Sequence, residues 1–216
     1  MDRENLLLQR SSLVLRQGVM RLLSMKILTT FYRRMFLMVR PLNATIPSMH
    51  SRLPVIIQRL TEKDLSAYSR FRPDQCTNVI RTRLARGDQY FAAWNEGCIV
   101  HAVWVSVERV YVPYLRRDLI LQPGDVYLYD SFTSPAYRGY DLAAARSVHM
   151  MHHYQQEGYR RMVCLIAVEN KSGLRAVQKL GYQSVGLCSC LCCGPWQRDL
   201  QQTWSEEPLP RLAKVA

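Results

Sequence analysis

The chain has 216 residues, enough to bury one sizeable core, so one domain with an extension is the expected layout. Apolar content of 48% and charged content of 21% belong to an ordinary soluble globular protein and exclude a collagen-like or largely disordered chain. The net charge of +12 is uneven: residues 1–40 carry eight Arg/Lys against Asp2 and Glu4, and the rest of the charge is spread over the longer remainder. Such a surface attracts phosphates, anionic headgroups or nucleic acid. Nucleic acid is disfavoured here, because the charge is dispersed and no recognition motif appears. Arg10, Arg16, Arg21, Lys26, Arg33, Arg34 and Arg40 interrupt the N-terminal region, leaving no run of roughly 18 apolar residues to cross a membrane. Met1–Arg10 lacks the order of a secretory signal. A cytoplasmic location with free thiols is therefore expected for the seven cysteines, four of which fall at Cys188, Cys190, Cys192 and Cys193.

Residues 1–40 read as a basic, helical extension. From Lys26 onward Leu28, Phe31, Met35, Met38 and Val39 share a helical face, with Lys26, Arg33 and Arg40 opposite. That face would pack on its own domain or on a second copy of the chain in a homodimer, or lie on an anionic membrane surface, with a disordered arm as the remaining alternative. Residues 41–54 read as a Pro-containing linker, residues 55–196 as the main domain and residues 197–216 as a tail. Within the domain, Val55–Leu60 predicts a strand. Thr61 with Asp64 predicts a weak capping box, followed by helices over Lys63–Arg70 and Asp74–Arg86 that stop at Gly87. Gln89–Trp94 and Cys98–Glu108 flank Asn95-Glu96-Gly97 as a hairpin. Pro113–Gly124 reads as a basic connector and Val126–Thr133 as a strand. Leu142–Glu157 predicts a helix ending at Gly158, and Arg161–Val168 a strand buried on both faces. Lys171–Leu180 predicts a short helix closed by Gly181, and Tyr182–Cys193 a last strand. This order implies an α/β (α+β) mixed sheet covered by helices, and not a doubly wound dinucleotide fold.

Pro135-Ala-Tyr-Arg-Gly-Tyr-Asp-Leu-Ala143 joins a strand to a helix. A glycine turn at a helix start presents unpaired N–H groups and the positive end of the dipole, and Arg138 adds a full charge. That combination suits a phosphate-bearing ligand. The lead-in Pro135, Tyr137, Arg138, Gly139 and the run Arg138 to Ala143 resemble the acyl-CoA pyrophosphate loop of the GCN5-related N-acetyltransferase (GNAT) family. Asn170-Lys171-Ser172 through Lys179-Leu180-Gly181-Tyr182 and the opening Leu60–Leu65 support the resemblance, which covers Val55 to Cys193. Two positions depart from the family pattern. Asp141 replaces a loop glycine, where it could favour the helix start or pair with Arg138. Val177 stands where many members carry a tyrosine acid, leaving Ser172 or Tyr182 as substitutes or an unaided thiolate departure.

The resemblance implies a GNAT-like acyl-CoA N-acyltransferase fold, with helices on both faces of a central sheet. It implies acetyl-CoA or another acyl-CoA as co-substrate, and direct acyl transfer to an amine-bearing small molecule or protein. It assigns cofactor binding to Phe132, Thr133, Arg138, Gly139, Tyr140, Asp141, Leu142, Ala143, Asn170 and Ser172. Asp130, read as sharing a strand face with Val126, Leu128 and Phe132, is the candidate base, with a paired structural carboxylate as the competing reading. The departures at Asp141 and Val177 also suit a non-catalytic acyl-CoA-binding module. His101 is either cleft-lining or a half-buried sheet residue. Tyr111, Tyr114, Arg116 and Arg117 lie in a connector expected to border the acceptor site. His149 and His153 share a helix face at i, i+4 without a third ligand, so no metal site is assigned. Cys188, Cys190 and Cys192 alternate onto one strand face as small apolar residues, with a redox-sensitive or metal-binding patch as the alternative.

Overall fold

The computed structural model describes residues 31–193 and 196–214. Eleven strands are present among them: β1 (Tyr32–Pro41), β2 (Ile56–Arg59), β3 (Gln89–Asn95), β4 (Cys98–Ser106), β5 (Arg109–Val112), β6 (Arg117–Ile120), β7 (Asp125–Thr133), β8 (Arg161–Ala167), β9 (Gln183–Cys193), β10 (Trp196–Thr203) and β11 (Arg211–Ala213). The helices are α1 (Leu65–Phe71), α2 (Thr77–Ala85), α3 (Leu142–Gln156) and α4 (Lys171–Lys179). Eight strands form one sheet in the order β10-β9-β1-β8-β7-β4-β3-β2, and β11-β6-β5 form a second. All pairings in the large sheet are antiparallel except that of β7 with β8.

The two faces of the large sheet carry different layers. On one face α3 and α4 bury Met150, Met151, Tyr154 and Leu174 against Met38, Val103, Val126, Leu128 and Met162. On the other, the small sheet lays Val110, Val112, Leu115 and Leu119 on Leu37, Val39, Tyr127, Val163 and Cys188. Beside it α1 and α2 bring Tyr68 and Ile80 onto Tyr90, Ala92 and Trp104. Side chains alternate between these layers, as strand geometry requires.

The principal correction concerns residues 32–40. The helical stripe through Met35, Met38 and Val39 belongs to strand β1, which lies between β8 and β9 inside the sheet. The expectation omitted Phe36 and Leu37, and these decide the matter. Met35–Val39 is an unbroken apolar run, half-buried at Met35 and Phe36 and buried from Leu37 to Val39 on both faces, as a central strand is. Periodicity cannot separate such a run from a buried helix. A helix lying on a membrane surface is therefore ruled out for residues 32–40, while residues 1–30 of the expected extension lie outside the described residues. The expected linker and tail are also structured in part. Leu42 is buried and donates its N–H to the Arg160 carbonyl, β10 pairs with β9, and β11 pairs with β6. The basic connector of residues 113–124 contains strand β6. No helix of the described residues is long and apolar enough to cross a membrane.

Leu37 is fully buried at the centre of β1. Leu37→Ala should lower the unfolding free energy by about 2–5 kcal/mol, the range for emptying a core leucine site. Equilibrium urea denaturation followed by circular dichroism measures it. A loss comparable to that of an exposed-site substitution would contradict the central placement of this strand.

Candidate active site

Strands β7 and β8 run in parallel only from Asp125↔Arg161 to Tyr127↔Val163. At that end they are held by a buried ion pair, with Arg161 Nε donating to Asp125 Oδ1 at 2.5 Å. Beyond Tyr127 the strands part. β7 stays paired with β4 as far as Thr133, and β8 stays paired with β1 as far as Ala167. Their facing edges are thus left without a ladder partner, and an opening lies between two parallel strand ends.

The β7 edge is reshaped by a bulge. Ala102 pairs with Phe132 and Trp104 with Tyr129, so Asp130 and Ser131 oppose Val103 alone. Asp130 sits at φ 50°, in the left-handed region rarely used by a residue with a side chain. The extra residue shifts the alternation by one. Asp130 therefore leaves the face of Val126 and Leu128, to which strand periodicity assigned it, and turns toward α1 and α2. There Oδ1 accepts from Arg72 Nη1 at 3.1 Å, and Oδ2 accepts from Arg83 Nη1 at 2.7 Å and Gln75 Nε2 at 2.5 Å. Phe132 turns the same way, beneath the Arg72 guanidinium and against Phe71. The Asp130 carboxylate is thus a knot between β7 and the helices, with both oxygens engaged.

Ser131 and Thr133 turn to the α3 side. The Thr133 hydroxyl meets His101 Nδ1 at 2.8 Å, and Arg146 Nε donates to His101 Nε2 at 3.2 Å. An arginine can only donate, so Nε2 is the acceptor and the imidazole proton lies on Nδ1, facing Thr133. His101 is fully buried, and burial, followed by the adjacent Arg146 charge, holds its pKa well below the ordinary value. Arg146 Nη2 donates to Ser131 Oγ at 3.2 Å and Nη1 approaches Met150 Sδ at 3.8 Å. Arg146 is 4% exposed, and burial pulls its pKa down to about 10. Neither Arg146 nor Ser131 was singled out from the sequence. A signal existed for Arg146, which lies four residues from both Leu142 and Met150 on the buried stripe of α3.

The glycine turn lies just beyond the end of β7. Pro135–Tyr137 form a 3-10 turn, Gly139 takes φ 86°, and Asp141 is the α3 N-cap at φ 57°. Only glycine adopts the Gly139 conformation without strain. The Asp141 carbonyl receives the N–H groups of Ala144 and Ala145. Among the described residues no backbone carbonyl receives those of Gly139 to Ala143, so this stretch is free to meet an anion. Leu142 is buried, whereas Arg138, Gly139 and Tyr140 are exposed. Asp141 pairs with Arg52 Nε at 2.9 Å, not with Arg138. The Tyr140 carbonyl takes the Arg52 N–H and the Ser51 hydroxyl, so the segment before β2 crosses the turn.

At the end of β8, Asn170 caps α4: its Oδ1 accepts from Gly173 N at 2.9 Å and from the Ser172 hydroxyl at 3.1 Å. Both residues serve that corner. Val177 is packed against the core, and Tyr182 is buried there, with its hydroxyl pushed far above the ordinary range by burial. Neither Ser172, committed to Asn170, nor Tyr182 is placed as a ready proton donor. On the α2 side of the bulge, a cleft of about 700 Å³ is lined by Tyr111, Tyr114, Tyr127, Tyr129, Arg83 and Asp130 among others. Of the connector residues, Tyr111 and Tyr114 thus reach the cleft, whereas Arg117 turns inward to Asp199. His153 pairs with Glu157.

Comparison with solved structures establishes the fold. The chain superposes on a protein assigned to the GNAT family of acetyltransferases from Novosphingobium aromaticivorans DSM 12444 with a TM-score of 0.53 and 14% identity, covering 81% of this chain and 66% of that one. A GNAT-family acetyltransferase from Colwellia psychrerythraea gives 0.52 and 15%, over 81% and 57% of the two chains. The GCN5-related glucosamine N-acetyltransferase region of a fungal multi-domain β-N-acetylglucosaminidase gives 0.53 and 12%, over 78% and 20%. The chain therefore has a GNAT-like fold, and it spans two thirds or less of the length of these proteins. No family model and no curated protein matches the sequence.

The buried neutral imidazole has a measurable signature. Below pH about 6.5 the unfolded chain protonates His101 and the folded chain does not, so the unfolded state binds more protons and stability falls as pH falls. The slope from this group cannot exceed about 1.4 kcal/mol per pH unit. Urea denaturation between pH 7.5 and 5 should show a smaller acid loss for His101→Asn than for the wild type. Equal slopes would place the histidine in contact with water.

Proposed function

We propose that the protein is an acyl-CoA-dependent N-acyltransferase that moves an acetyl group directly from acetyl-CoA to an amine. The observation that carries this reading is the opening between β7 and β8, with a bulge on one edge and the anion-ready glycine turn immediately beyond it. A pantetheine arm is an extended chain with two amides. It would pair with the free β7 edge near Phe132 and Thr133 as an added strand does. Its pyrophosphate would lie on the N–H groups of Gly139 to Ala143, with Arg138 alongside. The thioester would then stand at the bulge, and the amine would approach from the tyrosine-lined cleft. Bringing the two together accounts for much of the acceleration expected of such a site.

In this reading Asp130 shapes the bulge and does not take the proton, because both its oxygens are occupied. The ammonium sheds its proton to water in the cleft before attack. The thiolate leaves without a tyrosine acid, which a thiol of ordinary pKa near 8.5 permits. Arg52 offsets the charge of Asp141 beside the turn, supporting phosphate binding there despite the missing glycine. A second reading, a non-catalytic acyl-CoA-binding module, is favoured by Val177, since neither Ser172 nor Tyr182 is placed to replace the absent acid.

Calorimetric titration with acetyl-CoA, combined with thiol release across a panel of amines, separates the two. Binding together with amine-dependent release is expected; binding without release under any acceptor would establish the module. Asp141→Gly, which suits the left-handed φ and removes a negative charge near the phosphates, should lower KM for acetyl-CoA by about tenfold, or ~1.4 kcal/mol. Arg138→Ala should raise it by a similar factor. If neither KM moves, the pyrophosphate does not sit on this turn.

A further inference from the structure

The buried Arg146 is unexplained by the fold. The residue is 4% exposed, and among the described residues no carboxylate lies within ion-pair distance of its guanidinium. Its acceptors are neutral: the imidazole of His101, the hydroxyl of Ser131 and the thioether of Met150. A buried cation without a counter-charge costs several kcal/mol and is ordinarily replaced by an apolar side chain or matched by an anion. Tyr182 and Cys164 are the titratable groups whose charge would favour the cation, and burial raises the pKa of both, leaving them neutral. Among the described residues no permanent anion therefore balances Arg146 on the α3 side of the sheet.

What it does touch is informative. Nη2 donates to Oγ of Ser131, an exposed residue of the bulge, on the β7 edge that lacks a ladder partner. A hydroxyl that accepts from a guanidinium has its own proton turned away from that donor and polarised by the charge behind it. His101 holds the guanidinium from the other side and is itself fixed by Thr133, the residue opposite it in the β4–β7 ladder. The arrangement is a rigid cation whose one exposed acceptor is a hydroxyl at the mouth of the opening.

We infer that Ser131 donates a hydrogen bond to the oxyanion that forms on the thioester carbonyl, with Arg146 as the positioning residue that orients and polarises its hydroxyl. This rests on the acyl-transfer reading above. When the amine nitrogen adds its lone pair to the carbonyl carbon, the π pair moves to oxygen and a full negative charge appears there. On collapse that pair re-forms the carbonyl, the C–S bond breaks with its electrons on sulfur, and the nitrogen proton passes to solvent while the thiolate takes one up. Ser131 exchanges no proton. The counter-charge that Arg146 lacks in the resting protein is supplied transiently by the reaction, beside a buried guanidinium that polarises the donor.

The test measures thiol release from acetyl-CoA by the full chain, with hydroxylamine as a small general acceptor and the spontaneous rate subtracted. Ser131→Ala should lower kcat by about 10²-fold with KM for acetyl-CoA nearly unchanged, the pattern of an interaction made only in the transition state. Ser131→Thr, which keeps the hydroxyl, should recover most of the loss. Arg146→Met should lower kcat by about tenfold or more without lowering Tm, because it removes an unbalanced buried charge. The double variant S131A/R146M should be no slower than S131A, since Arg146 acts through the hydroxyl. A kcat for S131A within about twofold of wild type, or losses that multiply in the double variant, would overturn the inference alone. Absence of enzymatic thiol release by the wild type with hydroxylamine and with every amine of the panel would overturn the acyl-transfer reading together with it.

Discussion

The carboxylate of Asp130 is the point on which the site depends. A non-glycine residue in the left-handed region is unfavourable by about 1–3 kcal/mol and persists only when its surroundings impose it. Here two guanidiniums and a carboxamide from α2 and the loop between α1 and α2 converge on the two oxygens. Charge-assisted bonds of this kind contribute about 1.5–3 kcal/mol each when well shielded, enough to offset the strain. The bulge shifts every later side chain of β7 by one position. It sends Phe132 to the helix side with Asp130, and it sends Ser131 and Thr133 to the α3 side, where His101 and Arg146 await them.

A second constraint works at the opposite end of the same strands. The buried Asp125–Arg161 pair and three rungs of parallel ladder close the base of β7 and β8. Above it, β4 and β1 claim the outer edges, so the inner edges must diverge. Closure at one end and divergence at the other make an opening whose walls are strand edges. Both walls are held between the hydrophobic layers on the two faces of the sheet, which lets the edges remain unpaired without loss of the sheet.

Local signals in the chain were sufficient wherever an element makes its own case. The hairpin around Asn95-Glu96-Gly97, the helix closed by Gly158 and the Gly139 turn all follow from spacing and turn chemistry, and their bounds differ from expectation by a residue or two. Local signals failed where burial on two faces erased periodicity, as in Met35–Val39, or where pairing partners are remote. Strand β11 exists because residues 211–213 find β6, nearly a hundred positions away in the chain. The glycine turn was legible as a helix start with unpaired N–H groups, whereas the pairing of Asp141 with Arg52 was not, because the partners meet only when the segment before β2 crosses the turn.

By itself the sequence determined the class of fold, through the resemblance its motifs carry, and the position of the glycine turn at a helix start, since such signals are local in the chain. The tertiary structure decided what each polar group of the site faces. Strand periodicity put Asp130 with Val126 and Leu128, as a candidate base or a paired carboxylate, and one extra residue in the ladder moved it to the other side and paired both its oxygens. The same shift brought Ser131 to a buried arginine that a linear reading leaves unremarked. A bulge is a relation between two strands, so its effect on side-chain direction appears only when both strands are in place.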